Sequence, residues 1–355
     1  MTVAMNGFSL NIGVSLSLLI GVGFFANLGI SPVKADDAPG QVNEVIILKA
    51  AYKRPTAVPF PEDNPFTEAK AKLGQMLYFD PRLSRSNMQS CASCHNPSFA
   101  WGDGLPKGVG DHMNELGRRS PTILNAAWSE ALMWDGRFET LEEQALGPIQ
   151  AGVEMNMPLD ELLEKLNNID GYRPLFAAAF DGDEEITAEK IAMAIATYER
   201  TVISGEAPFD RWIKGQRKAI SASAQRGFQL FNGKARCSSC HVGWRFSDDS
   251  FHDIGLADDD VGRGAELSGI VKMQHAFKTP GLRNIDQRAP YMHDGSLATL
   301  ADVVEHYDHG GIKRPSLSDE MHPLGLTEQE KKDLVTFMKS LTSDDDPVTY
   351  VQLPR

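Results

Sequence analysis

Cysteine is scarce in this sequence, with four residues in a chain of 355. All four lie in two pentapeptides, Cys91–His95 and Cys237–His241, so no cysteine is left for a disulfide-stabilised scaffold. Positive charge is also in deficit, because 35 Lys and Arg residues stand against 48 Asp and Glu residues. The net charge of −13 repels polyphosphate and argues against a nucleic-acid partner. Strand-like alternation of apolar and polar residues is rare, which predicts a mainly α fold.

Charged residues are absent from the first 33 positions. The run at residues 12–30 is apolar apart from Ser and Asn, and Val33, Lys34 and Ala35 then offer a small-residue cleavage pattern. Residues 1–35 are therefore predicted to be a signal peptide that exports the protein to the periplasm. The usual Lys or Arg before the apolar run is missing, and this leaves an uncleaved anchor as the alternative, since about 20 apolar residues span a membrane. Membrane association is expected only in that alternative.

The two cysteine pentapeptides share the pattern Cys-x-x-Cys-His, the signature of covalent c-type haem attachment. Two thiols one helical turn apart add to the two vinyl groups of a haem, and the adjacent imidazole binds the iron. The sequence thus predicts two haem c groups, one held by Cys91, Cys94 and His95 and the other by Cys237, Cys240 and His241. A zinc site is one alternative, but the two cysteine pairs are 143 positions apart, whereas zinc ribbons separate theirs by about 15–20. Two dithiol redox motifs are the other alternative.

The chain after the first haem motif is similar to the chain after the second at a constant offset of 159 positions. Three pairs of segments match without a gap: Pro121–Asn125 with Pro280–Asn284, Trp134–Gly136 with His293–Gly295, and Thr140–Leu141 with Thr299–Leu300. An ungapped match of this length indicates an internal duplication. We therefore expect two cytochrome c-like haem domains.

The predicted domain boundaries follow from helix signals and from one stretch that contains glycine and proline. Thr187 is a predicted helix N-cap, and Thr327 with Glu330 is a predicted capping box. Residues 204–221 between the halves are predicted to be a crossover linker. The N-terminal haem domain is then expected at residues 36–203 and the C-terminal haem domain at residues 222–355.

The same offset pairs Tyr307 in the second half with Pro148 in the first. A tyrosine oxygen can bind iron, whereas proline has no ligating side chain and leaves the sixth coordination position of its haem open. The pairing predicts one saturated haem and one reactive haem. The alternative for Tyr307 is an ordinary aromatic side chain at a haem edge, and competing distal ligands are His306, His309, Met292 and Met321.

The surroundings of Pro148 suit an open haem. Gln144 lies one helical turn before Pro148 and Glu154 lies six positions after it, so both can face the same cavity. A carboxyl group placed there can move a proton between the two oxygens of a bound peroxide. Trp134 precedes an Asp-Gly turn and is a candidate electron relay between the haems. The alternatives are solvated surface positions for Gln144 and Glu154, and core packing for Trp134.

Several longer segments carry a family resemblance beyond the two haem motifs. They are Arg118–Thr122, Trp134–Arg137, Gln144–Glu154, Lys278–Asn284 and Ala289–Gly295. With these segments the chain resembles the bacterial di-haem cytochrome c peroxidases, a group that includes the methylamine-utilisation protein MauG. The resemblance covers nearly all of the chain after the predicted signal peptide. It implies proximal ligands at His95 and His241, a bridge between the haems at Trp134, and a peroxide pocket at Gln144, Pro148 and Glu154.

Members of this family differ in the distal ligand of the second haem. Ordinary peroxidases of the family use Met there, whereas the MauG-like branch uses Tyr, and the matching position in this chain is Tyr307. A thioether ligand raises the reduction potential, whereas an anionic oxygen stabilises the higher oxidation states of iron. The resemblance therefore implies the MauG-like branch.

Two departures from the family pattern affect what it implies. Peroxidases of this kind often bind calcium between their domains through an Asn side chain and through backbone carbonyls that here lie near Thr279 and Gly281. Arg119 stands in the Asn position, and a guanidinium cannot coordinate a cation, which makes calcium binding doubtful. The loop His that blocks the first haem in such peroxidases is also out of register, its nearest candidate being His112. We therefore expect a first haem that is always open.

The expected function is that of an exported di-haem oxidoreductase that reacts with hydrogen peroxide at the first haem and shares oxidising equivalents with the second. A MauG-like enzyme would use them to oxidise side chains of a partner protein. The first alternative is a cytochrome c peroxidase that removes hydrogen peroxide with electrons from a small cytochrome or copper protein. The second is a non-catalytic di-haem electron carrier, which requires both haems to be six-coordinate.

Overall fold

The computed structural model describes residues 48–345, 347–349 and 351–355. The predicted signal peptide and its cleavage site lie outside these residues, so export remains a prediction. Within the described ranges, every helix is too short or too polar to cross a membrane.

The described chain is mainly helical, which confirms the predicted fold class. Its strands form a single antiparallel pair, β1 (Phe251–His252) and β2 (Phe277–Lys278), with Phe251 opposite Lys278. Short 3-10 turns such as Cys237–Ser239 connect the α-helices. The α-helices are α1 (Glu68–Phe79), α2 (Cys91–Cys94), α3 (Leu141–Gln150), α4 (Leu159–Asn167), α5 (Arg173–Ala179), α6 (Ala188–Arg200), α7 (Pro208–Ile213), α8 (Ala222–Asn232), α9 (Leu300–His309) and α10 (Glu328–Lys339).

The predicted N-caps are in place at the start of α6 and α10. The Thr187 hydroxyl accepts a hydrogen bond from the backbone N–H of Lys190 at 3.2 Å. At α10, the Thr327 hydroxyl accepts from the backbone N–H of Glu330 at 3.3 Å, and the Glu330 carboxylate accepts from the backbone N–H of Thr327 at 2.7 Å. These bonds satisfy N–H groups that a helix leaves free at its first turn, and they confirm both sequence predictions.

The internal duplication is visible in the backbone. Helices α3 and α9 begin and end at positions that are related by the sequence offset, and each starts at a Thr capping box. An isolated antiparallel bridge precedes each helix at equivalent residues, Leu132 with Phe138 and Tyr291 with Leu297. The offset found in the sequence therefore corresponds to one structural unit that occurs twice.

In each half, a buried asparagine at an equivalent position fixes a turn in the segment that leads to α3 or to α9. Asn125 and Asn284 are both buried and both adopt a left-handed backbone conformation. The Asn125 side-chain oxygen accepts from the backbone N–H of Ser204, and the Asn284 oxygen accepts from that of Ser343, each at 3.0 Å. Because these serines follow α6 and α10, each asparagine ties the turn to the last helix of its half.

A glycine at the closest helix crossing organises the core of each half. A Cβ atom on Gly74 of α1 would lie 1.8 Å from the carbonyl oxygen of Ala194 on α6. In the second half, a Cβ atom on Gly227 of α8 would lie 2.0 Å from the carbonyl oxygen of Asp333 on α10. The missing side chains let the helices touch backbone to backbone. Around the two crossings lie the buried residues Leu73, Leu77, Ile191 and Ile195, and Phe228, Phe231, Phe246 and Phe337.

The ends of the described chain cross between the two halves. Tyr52 packs in the core of the second half, whereas the carbonyl of Arg355 accepts a hydrogen bond from the backbone N–H of Gly171 in the first half at 3.1 Å. Residues 204–221 contain α7, which also packs in the second core through its aromatic side chains. The halves are therefore joined at more places than the linker, and the domain boundaries stay a prediction.

Gly227→Ala is expected to destabilise the second half, because the new methyl group has to displace the backbone of the neighbouring helix. Overpacking of this kind costs about 1–3 kcal/mol, which exceeds the ~0.5–1 kcal/mol that alanine returns through helix propensity. Thermal unfolding of the haem-loaded protein, followed by circular dichroism, measures the effect. Gly117→Ala is the control, because no atom lies within 4 Å of a Cβ there. Equal melting temperatures for the two variants would contradict the prediction.

Candidate active site

The first haem motif forms the short helix α2, and hydrogen bonds fix the start of this helix and the ring of His95. The hydroxyl of Ser93 accepts a hydrogen bond from the backbone N–H of Ser90 at 3.0 Å, which fixes the start of the helix. His95 follows the helix, and its Nδ1 lies 2.8 Å from the carbonyl oxygen of Pro121. Burial lowers the pKa of His95, so the ring is neutral and its Nε2 is available to bind iron.

The second haem motif repeats this arrangement with a different partner. His241 Nδ1 lies 2.8 Å from the carbonyl oxygen of Phe246, and burial again lowers the pKa of the ring. Cys237 and Cys240 form no disulfide, and neither do the two cysteines of the first motif. Each motif therefore offers two thiols and one neutral imidazole nitrogen, which is the donor set that covalent haem attachment requires.

A cavity of about 550 Å³ adjoins the first motif. Cys94 and His95 line one side, and the predicted pocket residues Gln144, Pro148 and Glu154 line another. Gln144 and Pro148 are on α3 and Glu154 is in the turn after it, so the helix brings the three together. Pro148 contributes no donor or ligating atom to this cavity.

Burial raises the pKa of Glu154, and the charge of Arg137 acts in the opposite direction. Glu154 therefore keeps its proton to a higher pH than an exposed glutamate does. Such a group is well suited to accept a proton and then release it in a single reaction cycle.

His112 does not reach this cavity. Its side chain is 83% exposed and lies 3.5 Å from Asp111. The neighbouring residue Gly110 packs tightly against the loop that carries Glu154, since a Cβ atom on Gly110 would lie 1.8 Å from the carbonyl oxygen of Val153. The geometry therefore supports the expectation that no loop histidine covers the first haem site.

Tyr307 on α9 occupies the position that Pro148 has on α3. Burial is the main factor that raises the pKa of Tyr307, with smaller contributions from Cys240 and Cys237 of the second haem motif. A neighbouring iron would favour the deprotonated oxygen, as metal ions do for their ligands. The position of Tyr307 supports the prediction that it is the distal ligand.

Three of the four competing ligands have other surroundings. His306 Nε2 lies 2.8 Å from the carbonyl oxygen of Ile254, and the His309 side chain is largely exposed beside Glu305. Met292 lines the cavity of the first haem motif. These contacts favour Tyr307, and the ligand assignment stays a prediction.

Trp134 lies where the two halves meet. Its indole N–H donates to the carbonyl of Arg119 at 2.8 Å, and its own carbonyl accepts from the backbone N–H of Lys278 in the second half at 2.8 Å. The ring also packs edge-to-face against His293, with the ring centroids 6.3 Å apart. Trp134 lines the same cavity as His95. It is therefore in contact with the first haem site and with the second half of the chain.

Two buried charged residues in this region could not be predicted from the sequence. Arg288 lines the cavity beside Arg119, although nothing in its local sequence distinguishes it from a surface arginine. Glu199 on α6 is 4% exposed and lies against a smaller cavity beside the first haem motif, where burial raises its pKa to about 8. Glu199 is a charged residue on an amphipathic helix and Arg288 is in a loop after a 3-10 turn, so sequence patterns place both on the outside.

The residues near the expected calcium position do not fit a metal ion. The guanidinium of Arg119 stands where the side-chain ligand would be, and it donates to the carbonyl of Arg288 at 2.7 Å. The carbonyl of Gly281 accepts from the guanidinium of Arg288 at 2.5 Å. Two cationic groups therefore occupy this region, which agrees with the expectation that calcium binding is doubtful.

Comparison with protein families gives two matches along the chain. The family described as di-haem cytochrome c peroxidase matches residues 68–218. The cytochrome c family matches residues 224–342. Each match contains one of the two haem motifs.

Known proteins similar to this chain include both branches of the resemblance. The methylamine utilization protein MauG of Methylorubrum extorquens is 49% identical over 96% of this chain and 97% of its own length. A cytochrome-c peroxidase, IdrP1 of Denitromonas iodatirespirans, is 38% identical over 82% of this chain and 87% of its own length. The crystal structure of a MauG-like protein associated with microbial copper homeostasis has a TM-score of 0.76 and 32% identity, and it covers 82% of this chain and 95% of that one.

Tyr307→Phe is expected to leave the second haem without its distal ligand, because phenylalanine has no oxygen. The absorption and electron paramagnetic resonance spectra of the ferric protein then change from low spin to high spin for that haem. His306→Gln is the control and keeps the low-spin signal. A spectrum of Tyr307→Phe that matches the unsubstituted protein would exclude Tyr307 as the ligand.

Proposed function

Since the chain belongs to the di-haem cytochrome c peroxidase and MauG family, it is a peroxidase-type oxidoreductase with two c-type haems, and we propose that it oxidises side chains of a specific partner protein. In this proposal hydrogen peroxide reacts at the haem of the first half. The oxidising equivalents are shared with the haem of the second half. The protein acts outside the cytoplasm, in the periplasm, after removal of residues 1–35.

The difference between Pro148 and Tyr307 is the observation that carries this proposal. The two residues occupy equivalent positions on α3 and α9, which supports a free face on the first haem and a ligand oxygen at the second. A haem in the first site supplies an iron that binds peroxide and takes up its oxidising equivalents. Pro148 keeps room for the peroxide, because its ring cannot bind iron.

Glu154 and Gln144 handle the proton and the orientation of the peroxide. With peroxide bound, the Glu154 carboxylate would take a proton from one peroxide oxygen and give it to the other. The O–O bond would then break, the second oxygen would leave as water, and the haems would supply the two electrons. The Gln144 amide, now 3.7 Å from the sulfur of Met133, donates a hydrogen bond that orients the peroxide. Both residues act from one wall of the cavity that His95 also lines.

Trp134 passes electrons between the two haem sites in this proposal. Its contacts with Arg119 on one side and with Lys278 and His293 on the other support this role. Contacts on both sides of the indole limit how much its geometry changes when it loses or gains an electron. A small change in geometry favours fast electron transfer.

The MauG-like reading of the substrate rests on two observations. Identity is higher to the methylamine utilization protein, at 49%, than to the cytochrome-c peroxidase, at 38%. An anionic tyrosine oxygen at the second haem also favours the storage of oxidising equivalents over the uptake of electrons from a small donor. By likeness to that relative, we propose as substrate a protein of methylamine utilisation whose Trp or Tyr side chains need oxidation.

Detoxification of peroxide is the second candidate function, and the 38% identity to a cytochrome-c peroxidase favours it. The two functions differ in their electron source. Steady reduction of peroxide with a reduced small cytochrome as the only donor would support detoxification and contradict oxidation of a partner. Membership of a peroxidase family does not support the reading as a non-catalytic electron carrier.

Glu154→Gln is expected to slow the reaction with peroxide by roughly 10²–10⁴-fold, because an amide cannot accept the proton. In the unsubstituted protein the rate falls as the pH drops through the raised pKa of Glu154, since the protonated carboxyl has lost its basicity. The variant lacks this pH dependence. Stopped-flow absorption at a series of pH values measures both effects. Glu164→Gln, an exposed position on α4, is the control, and an unchanged pH profile in Glu154→Gln would contradict the role.

Trp134→Phe is expected to separate the responses of the two haems, because a phenyl ring is much harder to oxidise than an indole. Peroxide still changes the spectrum of the first haem in this variant, but the change at the second haem slows by more than an order of magnitude. Trp128→Phe is the control, since Trp128 packs against Trp244 with its ring centroid 4.8 Å away. Undiminished response of the second haem in Trp134→Phe would exclude the relay.

A further inference from the structure

Two buried arginines face each other where the halves of the chain meet. Arg119 of the first half is 7% exposed and Arg288 of the second half is 5% exposed. The Arg119 guanidinium donates to the carbonyl of Arg288 at 2.7 Å, and the Arg288 guanidinium donates to the carbonyl of Gly281 at 2.5 Å. Each side chain is thus held in place by a backbone carbonyl of the second half.

Both arginines retain donor capacity that the described chain does not use. The Nε atoms of Arg119 and Arg288 are buried and have no hydrogen-bond partner. A guanidinium offers five N–H donors in a planar fork, and a buried donor without a partner is energetically costly. The Nη1 nitrogens of both guanidinium groups also make no hydrogen bond within the described residues, and both side chains line the cavity, so a further acceptor can bind there.

The other arginines around the cavity have carboxylate partners, in contrast to these two. Arg118 pairs with Asp135 at 2.6 Å and also with Asp260, and Arg283 pairs with Asp210 at 2.9 Å. Within the described residues, the hydrogen bonds of the Arg119 and Arg288 guanidinium groups go only to backbone carbonyls. The missing acceptor is therefore expected to be anionic.

The local electrostatics agree with this conclusion. Burial lowers the pKa of Arg119, with the charge of Asp103 acting in the opposite direction. Burial, together with the charge of Arg119, lowers the pKa of Arg288 to about 9. Two like charges in a low-dielectric environment destabilise each other, and an anion between them removes this penalty.

The cavity that these arginines line is the one that receives the first haem. Arg119, Arg288, Cys94 and His95 all face it. A haem that is attached through its vinyl groups keeps two free propionate carboxylates, and a planar guanidinium binds a carboxylate through two parallel hydrogen bonds. We propose that Arg119 and Arg288 form a carboxylate-binding pair that holds haem propionate groups at the junction of the two halves, in the place of a bound metal cation.

The proposed site explains why two guanidinium groups of the chain lie at this junction. The propionates need positive charge, and the two guanidinium groups supply it without calcium. Because one arginine comes from each half, propionate binding also links the halves to each other. Loading with haem then stabilises the junction as well as each separate haem site.

The proposal is tested by the reduction potentials of the haems in the assembled protein. Arg119→Gln and Arg288→Gln each remove one positive charge and are expected to lower the midpoint potential of the first haem. The reason is that a nearby positive charge stabilises the ferrous haem relative to the ferric haem. Arg85→Gln is the control, since Arg85 pairs with Glu161 at the exposed surface. Spectroelectrochemical titration of protein with two haems per chain measures the potentials without peroxide or partner.

A further variant and a metal analysis complete the test. Arg288→Lys keeps the positive charge and loses the planar N–H donors of the guanidinium group. The midpoint potential of its first haem is therefore expected between that of Arg288→Gln and that of the unsubstituted protein. Elemental analysis of the purified protein is expected to find no stoichiometric calcium, and chelation with EGTA is expected to leave both haem spectra unchanged. Potentials of the two glutamine variants equal to that of Arg85→Gln, or a calcium ion whose removal alters the spectra, would overturn the proposal. None of these readouts depends on the substrate of the enzyme.

Discussion

The proposed activity depends on one constraint, which is that α3 and α9 hold equivalent positions relative to the two haem motifs. A threonine capping box fixes the start of α3 and of α9, and an asparagine that is bonded to the end of the last helix fixes the turn before it. These restraints are the same in both halves, so Pro148 and Tyr307 differ in side chain at equivalent positions. In the proposed function, this difference leaves one haem face free and gives the other haem a ligand oxygen.

The distribution of charge is a second organising feature. The chain as a whole carries a net charge of −13, yet the cavity at the junction is lined by arginines. Most of these arginines are neutralised by aspartates of the chain itself, but Arg119 and Arg288 are not. In the proposed site, this positive charge would stabilise the buried haem carboxylates, because solvent cannot stabilise an anion there.

Trp134 is linked to the arginine pair through the backbone of Arg119. Its indole N–H donates to the backbone carbonyl of Arg119, whose side chain reaches the second half. A carbonyl accepts a hydrogen bond and does not act as a base, so in the proposed relay the indole would keep its proton when an electron passes through the ring. Electron transfer between the halves would then not depend on movement of a proton at Trp134.

The sequence alone determined the features that depend on local spacing. These are the two haem motifs, the duplication, the helix caps at Thr187 and Thr327, and the equivalence of Pro148 and Tyr307, because a fixed offset or a short motif encodes each of them. The tertiary structure alone decided which side chains meet across the junction. Arg119 and Arg288 are 169 positions apart, and no periodic pattern relates them. Their pairing depends on how the two halves pack, as does the contact of His306 with Ile254 that removes one competitor of Tyr307.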